Sequence, residues 1–294
     1  MIKIQNINKT FQTSQGENHA LKNVSFELAD GSCLVIAGEN GSGKSLLMSI
    51  IAGLEEADSG SVDLGDQGES HLGDGDAGSG EMCHQGRRKS HQNEMLKRVQ
   101  HDEEWERLKR VQHDEGRAKS HQVRVGLVFQ EAETQILGET PREDIAFGPK
   151  NLGWKKAEIE KAVNLALEKT GLEAKADFPA RFLSGGEKRR LAIACMIAMN
   201  LPIIILDEPY ANLDYQGVKQ VNSLVKNLKN EGKTVIILSH EIEKCLGLAD
   251  KFLVLFRGEK VFDGSPEAGL KENLEKWNIK NPMTQYQKIE DFVW

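Results

Sequence analysis

The stretch GENGSGKS at residues 38–45 constrains the fold of this chain more than any other part of the sequence. It fits the pattern G-x-x-x-x-G-K-[ST] in full. The apolar run SCLVIAG leads into it, and KSLLMSIIAGL, with apolar residues at helical spacing, leads out of it. In such a strand–loop–helix unit the glycines let backbone N–H groups point inward around a phosphate chain, and the lysine reaches the β- and γ-phosphates. The residues predicted to bind the phosphates are Gly38, Asn40, Gly41, Ser42, Gly43, Lys44, Ser45 and Leu46, with Ser45 also a ligand of Mg²⁺.

A second apolar stretch, IIILDEP at residues 203–209, has the character of a buried strand that ends in two acids. An acid at the carboxyl end of a strand can hold Mg²⁺ through water, and a second acid beside it can orient an attacking water. Asp207 is therefore predicted to be a metal residue and Glu208 a catalytic residue. Many strands end in acids, so this pattern gains its meaning from the phosphate-binding loop in the same chain.

Strand-like and helix-like stretches alternate along most of the sequence and predict an α/β domain around a largely parallel sheet. The first thirty-odd residues alternate as strands do, and KKAEIEKAVNLALEKTGL has apolar residues at helical spacing. KFLVLFRGEKVFDGSP predicts a hairpin that turns at Arg257 and Gly258. The predicted buried strands include SCLVIAG, VGLVFQ, LPIIILDEP and KTVIILSH.

The stretch LSGGEKRR at residues 183–190 introduces a helix through a Ser-Gly-Gly turn, and small residues at a helix N-terminus form an anion site. With this motif the sequence resembles the ABC transporter ATPases, whose signature begins Leu-Ser-Gly-Gly and lies a short helix before the acidic strand. Further motifs of that family follow in the same order: Gln130 ends VGLVFQ, ANLD occupies 211–214, and His240 ends VIILSH. Phe11 matches the aromatic residue that stacks on adenine in that family.

The resemblance covers about 1–64 and 123–270 and implies a fold. It implies an α/β P-loop NTPase with a RecA-like core, an N-terminal antiparallel β subdomain and a helical signature subdomain at about 131–200. The ATPase domain is then expected over 1–270, and 271–294 is expected to be a short C-terminal extension.

The resemblance also implies that two such domains face each other head to tail, with ATP and Mg²⁺ bound by one and covered by the signature of the other. Glu208 is then expected to polarise the attacking water, and His240 to contact the γ-phosphate. Gln130 is expected to sense the γ-phosphate and to transmit closure to a membrane partner. The implied metal residues are Ser45, Gln130 and Asp207. The implied further nucleotide contacts are Phe11, Ser184, Gly185, Gly186, Glu187, which stands where many relatives have glutamine, and Asp214.

A finer resemblance lies in VGLVFQEAETQILGETPREDIAFGPKNLG at 125–153. It is similar to the energy-coupling-factor subgroup, the ATPases of vitamin and cobalt or nickel importers, in which a pattern ED-x-A-F-G-P-x-N-L-G follows the glutamine loop. This resemblance implies separate transmembrane transport proteins, a membrane protein that captures the substrate, and a second ATPase subunit that is either a copy or a paralogue. It places the chain at the cytoplasmic face of the cell membrane. The matching residues are Glu143, Asp144, Ala146, Phe147, Gly148, Pro149 and those at 151–153.

Other functions stay open at this point. The chain has one phosphate-binding loop and lacks coiled-coil heptads, so a soluble ABC ATPase of translation or DNA repair is disfavoured, while another importer or an exporter remains an alternative. The net charge of −7 argues against nucleic acid as a partner. The most apolar stretch, 191–206, is interrupted by Asn200 and Pro202 and is short for a membrane span. We expect no secretory signal, and reduced cysteines at Cys33, Cys83, Cys195 and Cys245.

The segment at 65–122 differs in amino-acid composition from the rest of the chain. It is rich in Gly, Asp, Ser, His, Arg and Lys, and the octet LKRVQHDE occurs in it at 96–103 and again at 108–115. The composition predicts a mostly disordered insertion with no part in ATP chemistry. A metal-binding role remains the alternative, through Cys83, His84, His91, His101 and His113.

Overall fold

The computed structural model describes residues 1–13, 16–65 and 124–284. The predicted insertion lies outside the described residues except for Gly65, and so do its candidate metal ligands. Along the described ranges the strands are β1 (Ile2–Thr13), β2 (Gly16–Leu28), β3 (Cys33–Ala37), β4 (Ser59–Asp63), β5 (Val125–Val128), β6 (Ile203–Asp207), β7 (Thr234–Leu238), β8 (Lys251–Phe256) and β9 (Glu259–Gly264). The α-helices are α1 (Lys44–Ile51), α2 (Pro141–Asn151), α3 (Lys156–Thr170), α4 (Gly185–Ala198), α5 (Tyr215–Asn230) and α6 (Pro266–Gly269).

The larger of two sheets has six strands in the order β5-β6-β7-β3-β8-β9. Its strands are parallel except β9, which returns antiparallel to β8. Arg257 and Gly258, both with positive φ, form the tight turn between them, and this confirms the predicted hairpin. Successive residues of β3 point to opposite faces, and both faces are covered by apolar side chains. Burial on both faces explains why the parallel strands read as uninterrupted apolar runs.

The smaller sheet is antiparallel, in the order β2-β1-β4, and contains the N-terminal strands. Its inner residues pack in one core with the buried residues of α1 and with one face of the six-stranded sheet. Ile4, Phe26 and Val62 come from its three strands, and Leu47 and Met48 come from α1. The phosphate-binding loop therefore starts at the junction of both sheets.

A separate apolar core holds α2, α3 and α4 together as a helical layer. The start of α2 is defined by Thr140, whose side chain accepts from the Glu143 N–H, and by Pro141 in the first turn. The end of α3 is defined by Gly171 in the left-handed conformation, which confirms the helix predicted there. A β-carbon on Gly148 would lie 2.5 Å from Sδ of Met199, so glycine permits the close contact of α2 with α4. The predicted α/β fold with two β layers and a helical subdomain is confirmed.

The first residues of the predicted C-terminal extension pack onto the ATPase core. Leu274, Trp277 and Ile279 are buried in the same apolar cluster as β8, and Trp277 contacts the ring of Phe262 at a centroid distance of 6.4 Å. Residues 274–279 therefore belong to the core by packing, and the predicted boundary at 270 stays a prediction.

The two residues that flank the undescribed segment at 66–123 lie close together: the first described stretch before it ends at Gly65, and the next begins at Arg124. Nη1 of Arg124 donates to the Gly65 carbonyl at 2.8 Å. Both ends of the undescribed segment are thus held together on one edge of the molecule. In the ranges that the structure covers, every helix is too short or too polar to cross a membrane.

Candidate active site

The phosphate-binding loop connects the end of β3 to the start of α1 and depends on glycine for steric reasons. A β-carbon on Gly38 would lie 2.2 Å from the Leu255 carbonyl oxygen, and one on Gly43 would lie 2.7 Å from Cδ2 of Leu21. Gly43 also has φ of +100°, which other residues adopt only with strain. The loop therefore has the tight shape that the sequence predicts.

Lys44 lies inside this loop and is buried. Its Nζ donates to the carbonyl oxygens of Gly38 and Glu39 at 2.7 and 3.0 Å. Burial lowers the pKa of the Lys44 ammonium, although the charges of Glu208 and Asp207 raise it. No acidic residue stands in the first turn of α1, and its N-cap, Gly43, offers no side chain. The exposed N–H groups and the nearby cation together suit a bound anion.

Asp207 and Ser45 meet at the carboxyl end of β6. The Ser45 hydroxyl hydrogen-bonds the Asp207 carboxylate, and Oδ1 of Asp207 is buried without a hydrogen-bond partner in the described ranges. Burial raises the pKa of the Asp207 carboxyl, while the hydrogen bond from Ser45 lowers it; the net direction is upward. An orphaned carboxylate oxygen beside a hydroxyl is a set of oxygen donors that fits Mg²⁺. Both residues were predicted from sequence for this purpose.

Glu208 and His240 form the second pair in this region. Oε1 of Glu208 lies 2.9 Å from Nδ1 of His240 and 3.1 Å from its backbone nitrogen. Glu208 is buried and has φ of +45°, and its own N–H donates to the Leu238 carbonyl at 2.9 Å. The structure therefore brings together two predicted catalytic residues that are 32 positions apart in sequence.

Gln130 is exposed in the loop that follows β5, and that loop is fixed by two side chains that sequence reasoning missed. Gln135 accepts from the Phe129 N–H and donates to the Leu127 carbonyl, both at 2.9 Å. Arg189 donates to the Phe129 carbonyl at 3.0 Å. Gln135 lies five residues after Gln130, but nothing in that spacing indicates that its side chain folds back onto the strand.

The signature residues lie at the start of α4, in the helical layer. Ser184 accepts from the Glu187 N–H at 3.3 Å, and Glu187 accepts from the Ser184 N–H at 2.9 Å, which is a reciprocal capping box. Lys175 pairs with Glu187 at 2.5 Å. Although burial acts to raise the pKa of Glu187, hydrogen bonds from Lys175 and Ser184 lower it overall. Ser184 and Gly185 face solvent, and a β-carbon on Gly185 would meet no atom within 4 Å.

The two remaining candidates lie at the edges of the region. Asp214 caps α5 by accepting from the Gly217 N–H at 2.7 Å. The segment before it is attached to Glu208, because the Ala211 N–H donates to the Glu208 carbonyl. Phe11 is 41% exposed on β1, with Nζ of Lys9 at 5.5 Å from its ring centroid. An exposed ring is free to stack on a base.

The fold and this site define a P-loop nucleotide hydrolase: a phosphate-binding loop and two buried acids at the carboxyl end of one parallel strand. Residues 21–211 match the protein family described as ABC transporter, and the chain belongs to that family. It is therefore an ABC ATPase, which binds and hydrolyses ATP.

Similar proteins agree with this assignment. The chain is 34% identical over 286 residues to an ABC transporter ATP-binding protein of Pyrococcus furiosus, across 96% of this chain and 87% of the relative. It is 34% identical over 291 residues to the energy-coupling factor transporter ATP-binding protein EcfA2 of Clostridium perfringens, across 97% of this chain and 87% of that protein. The solved structure of CbiO1 from Clostridium perfringens, part of the ABC transporter complex CbiONQ, superposes with a TM-score of 0.68 at 27% identity, covering 96% of this chain and 95% of that one.

Proposed function

We propose that this chain is the ATP-hydrolysing subunit of an energy-coupling-factor type importer that takes up a vitamin, cobalt or nickel through separate transmembrane partners. The observation that carries the enzymatic part is the contact between buried Glu208 and His240 beside the loop that holds Lys44. The subgroup and the transport role are supported by sequence similarity to EcfA2 of Clostridium perfringens. The chain would then work at the cytoplasmic face of the membrane, where those partners anchor it.

Each residue has a defined part in this proposal. Lys44 and the loop N–H groups bind the phosphates, and Phe11 stacks on the base. Glu208, held by His240, polarises the attacking water, and His240 contacts the γ-phosphate. Ser45, Asp207 and Gln130 would hold Mg²⁺, which when bound supplies charge neutralisation on the phosphate oxygens.

The signature acts in a second subunit. Ser184, Gly185 and Gly186 lie at an exposed helix start in the helical layer, while the phosphate-binding loop lies at the junction of the two sheets. An anion-binding helix terminus that faces solvent is available to a nucleotide held by a partner. Two ATP molecules then hold two subunits together, and hydrolysis releases them. The partner is either a second copy of this chain or a paralogue.

The subgroup motif has a physical basis that supports the proposal. Asp144 is buried, and its Oδ1 accepts from the N–H groups of Leu137 and Gly138 at 2.7 and 2.8 Å. A β-carbon on Gly138 would lie 2.4 Å from the Asp144 nitrogen. The acidic pair of the motif thus closes a compact turn after the glutamine loop, at the entrance to the helical layer.

The first test measures ATP binding and hydrolysis by the parent chain, Lys44→Ala, and the control Lys150→Ala, which changes an exposed lysine of α2. We expect Lys44→Ala to abolish nucleotide binding, because the phosphate cradle loses its mobile cation, and Lys150→Ala to resemble the parent. A parent chain without Lys44-dependent hydrolysis would contradict the enzymatic proposal. The transport proposal is tested by co-purification from detergent-solubilised membranes: transmembrane partners identified by mass support it, and purification without any membrane protein contradicts it.

A further inference from the structure

The second turn of α4 carries an arginine that reaches away from the signature and into the core. Arg189 is 5% exposed, and its Nη1 donates to the Phe129 carbonyl at 3.0 Å. That carbonyl belongs to the peptide bond that includes the Gln130 nitrogen. Since Gln135 accepts from the Phe129 N–H, both backbone groups of Phe129 are held by side chains. The position of Gln130 is therefore set by Gln135 of its own loop and by Arg189 of α4.

A second contact joins the same two segments. Nζ of Lys188 lies 3.1 Å from Oε1 of Glu133, in the short helix that follows Gln130. Lys188 and Arg189 are consecutive, and they contact the loop on either side of Gln130: Arg189 at Phe129 and Lys188 at Glu133. A movement of α4 must either carry this loop with it or break both contacts.

The guanidinium of Arg189 also lies within electrostatic reach of the two acids at the end of β6. Burial lowers the pKa of Arg189, and the charges of Asp207 and Glu208 oppose that effect. Its Nε is buried without a hydrogen-bond partner among the described residues. A buried donor without an acceptor costs free energy, so a rearrangement that supplies an acceptor is favoured.

We infer that Arg189 is a positioning residue that couples the signature of a subunit to that same subunit's own Gln130. The inference rests on the proposed function, in which Ser184 and Gly186 contact the nucleotide of the partner. Five residues of helix, about 7.5 Å, separate Ser184 from Arg189. Engagement of one nucleotide at the start of α4 thus reaches the machinery for the other nucleotide through one rigid helical turn and one side chain. The two ATP sites of a pair are therefore coupled through α4.

The test compares Arg189→Met and Arg189→Lys with the matched control Arg190→Met. Arg190 is the next residue of the same helix, but it donates to the Thr170 carbonyl and to Gln220 and makes these contacts inside the helical layer and to α5. Steady-state hydrolysis gives kcat and the Hill coefficient for ATP, and a fluorescent nucleotide gives the affinity of the single subunit.

For Arg189→Met we expect kcat to fall about tenfold to a hundredfold, as for other displaced catalytic groups, and the Hill coefficient to approach one. Nucleotide affinity is expected to stay within about threefold, because Phe11 and Lys44 are untouched. Arg189→Lys keeps the positive charge but loses the planar guanidinium with its several N–H donors, and it is expected to recover only part of kcat. Arg190→Met is expected to keep the parent's Hill coefficient.

Parent-like kcat and Hill coefficient in Arg189→Met would overturn the inference, and so would an equal loss in Arg190→Met, which would indicate general packing damage. If Arg189→Met does not fold, Lys188→Gln and Glu133→Gln test the second contact. Each is expected to lower the Hill coefficient, and the double variant to add nothing further, since both remove one contact. Unchanged Hill coefficients in both would then overturn it. A parent without any ATP hydrolysis contradicts the proposed function instead, so the two failures are distinguishable.

Discussion

The carboxylate of Glu208 is in direct contact with His240, with 2.9 Å between Oε1 and Nδ1. A carboxylate oxygen accepts hydrogen bonds, so this contact suits the ring tautomer in which Nδ1 is the donor. The backbone nitrogen of His240 donates to the same carboxylate at 3.1 Å. Glu208 is thereby held in one orientation by a residue of the neighbouring strand end.

Glu208→Gln is expected to retain ATP binding and to lose turnover by about 10²–10⁴, the usual contribution of a positioned acid or base. The amide keeps the size of the side chain but cannot polarise water, so a closed pair of subunits should accumulate with ATP. Phosphate release and size-exclusion chromatography measure both effects. Glu241→Gln, which changes the acid directly after His240 and removes an ion pair with Lys244, is the control. Equal turnover in Glu208→Gln and the parent would refute the role of Glu208.

Phe11→Ala is expected to weaken ATP affinity by about 1–3 kcal/mol while saturated turnover stays near the parent value, because the ring contacts the base and not the phosphates. Phe178→Ala is a matched control, since both rings are 41% exposed. Titration with ATP and with GTP measures the effect. If Phe11→Ala and Phe178→Ala bind ATP equally well, Phe11 has no stacking role.

Asp207→Asn is expected to stabilise the nucleotide-free protein at neutral pH and to abolish the effect of Mg²⁺ on it. Because burial raises the pKa of Asp207 in the folded state above the ordinary value of 3.8, the charged carboxylate destabilises the fold at pH above the raised pKa. That penalty, and with it the advantage of Asn, shrinks as pH falls through the raised pKa and is absent below 3.8. Urea unfolding of both proteins from pH 8 downward measures it. If the free energy of unfolding of Asp207→Asn exceeded that of the parent by more at acid pH than at pH 8, the raised pKa of Asp207 would be contradicted.

Asp144→Ala is expected to destabilise the helical layer by about 1–3 kcal/mol, because the backbone N–H groups of Leu137 and Gly138 lose their carboxylate acceptor. Asp177→Ala is the control in the same layer. Its carboxylate pairs with Arg142 but is 77% exposed, and exposed pairs contribute little. Chemical denaturation gives the two free energies of unfolding. If both variants lost the same free energy of unfolding, the hydrogen bonds of Asp144 would contribute no more to stability than an exposed ion pair.

The sequence predicted those parts of the site that are local. The phosphate-binding loop, the acids after β6 and the start of α4 each consist of neighbouring residues, and their chemistry follows from composition and order. The α/β fold and the β8–β9 hairpin were predicted for the same reason, since periodicity and turn residues are local signals.

The contacts that fix the glutamine loop were not predictable in this way. Arg189 and the Phe129 carbonyl are 60 positions apart, and the partner is a backbone atom with no sequence signature. The burial of Trp277 against Phe262 was missed because a tryptophan near a chain end gives no indication of which surface it covers. The cap formed by Asp144 likewise depends on a turn whose glycine is identified only by its neighbours in space.

Replacing about Asp66–His121 with a short Gly/Ser linker is expected to leave folding, ATPase rate and partner assembly within a few-fold of the parent. The flanking residues Gly65 and Arg124 already touch, so a short linker spans them, and loop-closure entropy changes only with the logarithm of length. ATPase assays and co-purification with membrane partners measure the outcome. Collapse of turnover would contradict an insertion without a catalytic part, and loss of tight, stoichiometric nickel or cobalt binding would favour the metal role instead.

The contact between Gly65 and Arg124 has a consequence for how the gene can change. Because the Arg124 side chain holds both ends of the segment together, we expect the ATPase fold to depend on these flanking residues and to tolerate a change in the number of residues between them. In-frame changes of length at this position, where the octet LKRVQHDE now occurs twice, are then expected to leave the nucleotide site intact. The same position should then suit protein engineering, because a reporter domain whose own termini lie close together can be inserted there into a working ABC ATPase.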